Sequence, residues 1–371
     1  MTELLVAAVK SGSRPVAGDF TIGGVDPAAY PPKPKPGDRV AVLSPSSGLP
    51  GMFPWPFDLG LARLRGEFGL VPVEYPATRR PGASAADRAA DIHAACSDPG
   101  IAAVIASIGG DDQITVLPHL DADLLRAHPK PFFGYSDNTC MLAYLASLGI
   151  VGYHGGSVMV EFGRPAKMHP VTAASLRAAL FTRGEYELAP AAEYGDENRD
   201  WADPATFEAE PPMRACGGWI WHNADHVVDA PAWGGCLEVV AWLLMANRCV
   251  APASEYGGGV LFLETSEELP SATVVYQILR CMGERDLLRQ FGAVLFGRAK
   301  AWSFDHPALP SERDVYQAGQ RAAVRRALAQ YAPQTMAVFD VDFGHTDPQL
   351  VIPYGGVVRV DGPARRITVT Y

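Results

Sequence analysis

Three widely separated segments each run a buried, apolar stretch into a residue able to do chemistry: a hydroxyl, a carboxylate and an imidazole. In FFGYSDNT (132–139) an apolar strand enters a tight Gly-containing turn, and a helix is expected to begin immediately after Ser136. That places the hydroxyl at a strand-to-helix corner, beside the first free N–H groups of the helix, which can stabilise an oxyanion. A serine before Asp137 also reads as an ordinary N-cap. The G-x-S-x-G elbow is not matched, because Asn138 stands where its second glycine would be.

VLFLETSEE (260–268) drives a buried strand into Glu264, and FDVDFGHTDP (339–348) places His345 after a strand and a glycine. A carboxylate at a strand end can orient a histidine and stabilise its cationic form. A histidine with one edge free can take a proton from a serine and return it to a leaving amine. Each also has a plain reading, as a solvated strand-end acid or one histidine among nine. SIGGDD (107–112) ends another apolar strand on two glycines, so its backbone can approach a ligand closely. One use of the Gly109–Gly110 pair is a second oxyanion N–H opposite Ser136, and a tight turn is the plain reading. The same Gly-Gly-Asp also suits a nucleotide loop, which would make the chain a kinase. His222 and His226 have the i, i+4 spacing of metal ligands but lack a glutamate or third ligand to complete a site, so no metal or other cofactor is expected.

The surrounding elements must position these groups. A strand running into a small-residue loop over 39–48 and strand-like runs at 71–76, 101–110 and 131–136 alternate with helical periods at 59–69, 84–98, where Ser84 is the expected N-cap, and 137–149. This alternation predicts a parallel sheet covered on both faces, with ligands beyond the carboxyl ends of its strands. Residues 183–233 break the pattern, being acidic and proline-containing with tryptophans at 201, 219, 221 and 233. Alternation resumes at 234–248, 260–265, 271–283, 292–299 and a long helix near 312–331, and the chain finishes in strand-like pieces. The expected division is 1–182, a linker and Trp-rich loop at 183–233, and a second domain at 234–371.

The chain has 371 residues, 48% hydrophobic and 19% charged, a profile that can bury a full core. A net charge of −10 argues against a nucleic-acid polymer as partner. The six cysteines form no C-x-x-C pair and read as reduced small hydrophobes. The amino-terminal apolar run (4–9) is short and follows Glu3, and no stretch approaches membrane-spanning length, so a cytoplasmic protein with no membrane partner is expected.

Taken in order, KPGDRVAVLSPSSG (35–48), SIGGDD, FFGYSDNT, GYHGG (152–156), GGCLEVV (234–240), LFLETSEE (261–268) and FGHTDP with LVIPYGG (343–356) resemble the LD-carboxypeptidase and microcin C resistance family of serine peptidases. The resemblance implies a Ser136–Glu264–His345 triad and an oxyanion hole of Asp137 and Gly110. It also implies an α/β fold, with a Rossmann-like N-terminal domain, a smaller C-terminal domain, the active site between them and a homodimer. Two branches follow from it. Muropeptide LD-carboxypeptidases remove a terminal D-alanine; the microcin branch cleaves an aminoacyl group from a nucleotide-like phosphoramide. Segment 199–222 resembles the extended loop of the microcin branch, in which Trp201, Trp219 and Trp221 would either stack on a purine or pack the domain junction. That branch is favoured, with a small peptide or aminoacyl-nucleotide as substrate. Against a phosphate near Glu264 stand Glu267 and Glu268, with no Lys or Arg in that turn.

Overall fold

The computed structural model describes residues 28–371, so most of the Gly- and Pro-rich lead-in and the short apolar run at 4–9 lie outside the described residues. Apolar runs too short for stable helices became strands. Ile101–Ala106 is the centre of a six-stranded sheet in the spatial order Ile352–Tyr354, Gly152–His154, Phe132–Gly134, Ile101–Ala106, Arg39–Leu43, Val71–Glu74. All pairings are parallel except the first, which is antiparallel. Val40, Ala41 and Val42 are fully buried, as a sheet packed on both faces requires. The crossover helices are Pro54–Gly66, Ala85–Ser97, the short Ala122–Ala127 and Thr139–Ser147. Ser84 caps the second of these, its hydroxyl accepting from the Asp87 N–H at 3.1 Å.

A second sheet of eight strands runs Glu185–Leu188, Arg366–Thr370, Val357–Asp361, Val227–Cys236, Val260–Glu264, Ala293–Gly297, Met336–Val341, Ile220–His222. Its four strands from Val227–Cys236 to Met336–Val341 are parallel and its flanks antiparallel. The helices Ala272–Glu284 and Pro310–Tyr331 accompany this parallel centre. The architecture is therefore mixed α/β with two parallel-rich sheets.

Two placements differ from the sequence expectation. Segment 183–233 does not merely pass between units, because it contributes both edge strands of the second sheet and the start of Val227–Cys236. Ile352–Tyr354, close to the end of the chain, returns to the edge of the first sheet beside Gly152–His154. All six cysteines are free; Cys96, Cys140 and Cys236 are buried, and Cys281 is exposed. Among the described residues, no helix is long and apolar enough to cross a membrane.

Candidate active site

The corner after Phe132–Gly134 is sharper than its sequence suggests. Ser136 has φ of +60° and begins a single 3-10 turn, Ser136–Asn138, that feeds directly into helix Thr139–Ser147. A non-glycine residue in this left-handed region costs about 1–2 kcal/mol, so neighbouring contacts must enforce it. They are found on both following side chains. The Asp137 carboxylate accepts from the Ser46 hydroxyl and from the Gln113 N–H at 2.8 Å. The Asn138 amide accepts from the Gln113 side chain at 2.8 Å and donates to the Ile108 and Tyr135 carbonyls, each at 3.1 Å. Ser136 itself caps nothing: among the described residues, no hydrogen bond uses its hydroxyl, which faces a cavity of about 470 Å³.

Gly109 packs against this corner, where a Cβ would lie 3.0 Å from Ser136 Oγ, while Gly110 faces Ser46. Both glycines line the cavity, and neither N–H is taken by a carbonyl of the described residues. The Asp137 N–H belongs to the first turn, where backbone donors lack helical partners. The acids that follow point elsewhere: Asp112 makes a two-pronged ion pair with Arg88, at 2.7 and 2.9 Å, and neither it nor Asp111 lines the cavity. The loop thus offers backbone donors to a ligand and no carboxylates for a nucleotide-bound metal.

Glu264 ends its strand fully buried, and its Oε2 lies 2.6 Å from His345 Nδ1. Gly344 makes this approach possible. It has φ of +96°, and a Cβ there would sit 2.6 Å from the carboxylate it must pass. The other ring nitrogen, Nε2, lies 2.9 Å from Glu267 Oε2. Burial alone would lower the His345 pKa, but the two carboxylates override it and raise the imidazole well above its ordinary value. Reciprocally, burial opposes ionisation of Glu264 and Glu267, and His345 outweighs it, bringing each down to about 2.

Several residues of this cluster carried no sequence signal. His154, at the end of the first-sheet strand Gly152–His154, is fully buried with Nε2 3.8 Å from Glu264 Oε1. Glu161, on the single helical turn Val158–Phe162, accepts from the Ser157 N–H at 2.6 Å and lines the cavity; burial pushes its carboxyl up to about 8. Lys300 is brought down to about 8 by burial, although Asp196 and Glu267 oppose the shift; its ammonium donates to the Asp196 carbonyl at 2.5 Å and to Asn198 at 2.9 Å. The GYHGG run was the one available pointer, to His154 alone.

The three tryptophans separate. Trp201 lines the cavity with Phe53 and Phe304, its ring edge-on to Phe53 at 6.0 Å. Trp219 instead donates its indole N–H to Asp342 at 2.8 Å, and Trp221 lies on the edge strand Ile220–His222, with the Arg365 guanidinium 5.5 Å from its ring. Neither lines the cavity. Among the described residues, no group of three or more His, Cys, Asp or Glu side chains is arranged to hold a metal ion.

Comparison with known proteins agrees with this arrangement of two sheets. The Streptomyces coelicolor relative, named as a carboxypeptidase, is 34% identical over 353 residues, covering 90% of this chain and 94% of that protein. The microcin C7 self-immunity protein MccF of Escherichia coli is 23% identical over 287 residues, covering 76% and 78%. A solved structure of MccF with adenosine monophosphate superposes with a TM-score of 0.80 at 21% identity, over 92% of this chain and 98% of that one, a likeness of fold. Residues 40–155 match the LD-carboxypeptidase N-terminal domain and residues 229–360 its C-terminal domain, so the chain belongs to the LD-carboxypeptidase family of serine peptidases.

Proposed function

We propose that the chain hydrolyses an amide bond through Ser136, His345 and Glu264, acting on a small aminoacyl-nucleotide-like substrate. The observation that carries the reading is the buried Glu264–His345 contact at 2.6 Å, facing the cavity into which the strained corner presents Ser136. In the reaction, neutral His345 takes the Ser136 proton on Nε2 while the hydroxyl oxygen attacks the scissile carbonyl carbon. The Asp137 and Gly110 N–H groups hold the oxyanion. The intermediate then collapses, the C–N bond breaks, and His345 returns the proton to the departing nitrogen. Water, deprotonated by the same imidazole, attacks the acyl ester, the ester C–O bond breaks, and the imidazole returns the proton to Ser136 Oγ as the acid leaves. Glu264 stays ionised and stabilises the transient imidazolium. The two sheets supply different members of this set, so their packing assembles it.

The aromatic mouth of Phe53, Trp201 and Phe304 favours a flat leaving group such as a purine. Solved MccF structures hold adenosine monophosphate and glutamyl sulfamoyl guanosine, which supports the same substrate class here. A second reading, removal of a terminal residue from cell-wall peptides, is supported by a Bacillus subtilis relative named as a murein peptide carboxypeptidase, 33% identical over 178 residues, 47% of this chain and 50% of that protein. Parallel hydrolysis of an aminoacyl sulfamoyl adenosine and a muropeptide tetrapeptide separates the two. A higher kcat/KM for the adenosine compound is expected, and preference for the tetrapeptide would reverse the choice. Ser136→Ala should abolish turnover of both by at least ~10³-fold while leaving the thermal midpoint nearly unchanged; a fully active variant would remove the serine mechanism.

A further inference from the structure

The resting site contains a competitor for its own base. His345 Nδ1 lies 2.6 Å from Glu264 Oε2, and Nε2 lies 2.9 Å from Glu267 Oε2. Glu264 holds Nδ1 by a hydrogen bond and Glu267 makes an ion-pair contact with Nε2; carboxylates only accept, so the two contacts together favour the imidazole with both ring nitrogens protonated. In that form the imidazole has no lone pair for the serine proton. Consistently, the Ser136 hydroxyl makes no hydrogen bond with His345.

Glu264 and Glu267 are not equivalent partners. Glu264 is fully buried at a strand end, with no room to leave. The Glu267 side chain is 52% exposed, and Nε2 of His345 is its one ion-pair partner among the described residues. Its backbone is held without it: the Ser266 N–H and hydroxyl both bind Glu238, at 3.1 and 2.7 Å, and the Glu268 N–H binds the Ser266 hydroxyl at 3.2 Å. The side chain can therefore rotate away while the loop stays in place.

We propose that Glu267 is a positioning residue that occupies the proton-accepting edge of His345 at rest, yields that edge when substrate enters, and thereby sets the lower pH limit of the reaction. This rests on the serine-hydrolase reading above. Other groups facing the imidazole are Tyr135, edge-on at 5.1 Å, His154 behind Glu264, Glu161 beneath Tyr135, Lys300 across the cavity, and Asp347, which is paired with Arg164 at 2.7 Å. None of these touches a ring nitrogen; among the described residues, Glu264 and Glu267 do. Both raise the imidazole above its ordinary value, so removing the charge of Glu267 lowers it.

The test uses the rate of Ser136 labelling by a fluorophosphonate, which requires the base but no particular substrate, measured from pH 5 to 9 in the full chain. Glu267→Gln and Glu267→Ala should each move the acid limb down by about one pH unit, giving about tenfold faster labelling below the limb. Glu268→Gln removes the neighbouring charge, which touches no ring nitrogen, and should leave the limb in place. If both Glu267 variants superpose on the wild-type profile, or if Glu268→Gln shifts it equally, the positioning role is overturned while the triad stands. Absence of labelling at Ser136 in the wild type at every pH would overturn the triad and this role with it.

Discussion

The Nε2 of His154 lies 3.8 Å from Oε1 of Glu264, and both side chains are fully buried. That distance is beyond hydrogen-bonding reach, and neither His154 nitrogen nor this carboxylate oxygen has a hydrogen-bond partner among the described residues. The Glu264 carboxylate thus stands between two imidazoles, one bonded and one beyond hydrogen-bonding reach, with aromatic rings of Phe262 and Phe343 around His154. His154→Phe keeps the packing and removes the second imidazole facing Glu264. We expect kcat/KM to fall about tenfold, equivalent to about 1.4 kcal/mol, with His154→Gln retaining more activity because it keeps an N–H donor. Equal activity in both variants would show that His154 only packs.

Gly344 lets the chain pass the Glu264 carboxylate with φ of +96°. Gly344→Ala places a methyl 2.6 Å from Glu264 Oε2 and strains the backbone by about 1–2 kcal/mol. Turnover should drop at least ~100-fold, because the 2.6 Å contact with His345 cannot survive the displacement. Steady-state kinetics beside a thermal melt checks this; a variant with unchanged kcat would mean that the contact is not needed for turnover.

Glu161 gives a signed dependence of stability on pH. The folded chain holds this carboxyl protonated up to about pH 8, against an ordinary glutamate value of 4.5. Between those values the folded state binds the extra proton, so this group's stabilising contribution is present below 4.5 and is lost as pH rises through 8. Glu161→Gln removes the titration. The difference in Tm, variant minus wild type, should therefore grow from pH 5 to pH 8.5, and a flat difference would contradict the shift.

Trp201 is the tryptophan of segment 199–222 that faces the cavity. Trp201→Ala should reduce kcat/KM for an aminoacyl sulfamoyl adenosine by about 5- to 150-fold, the range of one lost aromatic–base stack. Turnover of a muropeptide should change little. Trp219→Ala should leave both catalytic rates near wild type and lower Tm, since its indole anchors Asp342. Equal losses of substrate turnover at 201 and 219 would remove the stacking role.

Much of this molecule is set by local sequence. Ile101–Ala106 is a short, continuously apolar run of the length that favours a buried strand over a helix, and Ser84 three residues before Asp87 marks a helix start. Ser136, Glu264 and His345 stand out in the sequence because each follows an apolar run, and Gly109 and Gly110 because a glycine pair there marks a close approach, whereas the role of Gly344 beside Glu264 shows only in the fold. Tertiary structure decided matters that spacing cannot encode. It sent Ile352–Tyr354 back to the first sheet, gave Trp219 to Asp342 and left Trp201 in the cavity. It also brought Glu267 and His154 to the His345–Glu264 pair, one on the imidazole and one behind the carboxylate. The reason is range. Strand and turn preferences act over a few neighbouring residues, whereas the ionisation of an imidazole depends on every charge within a few ångströms, and those charges arrive from distant parts of the chain.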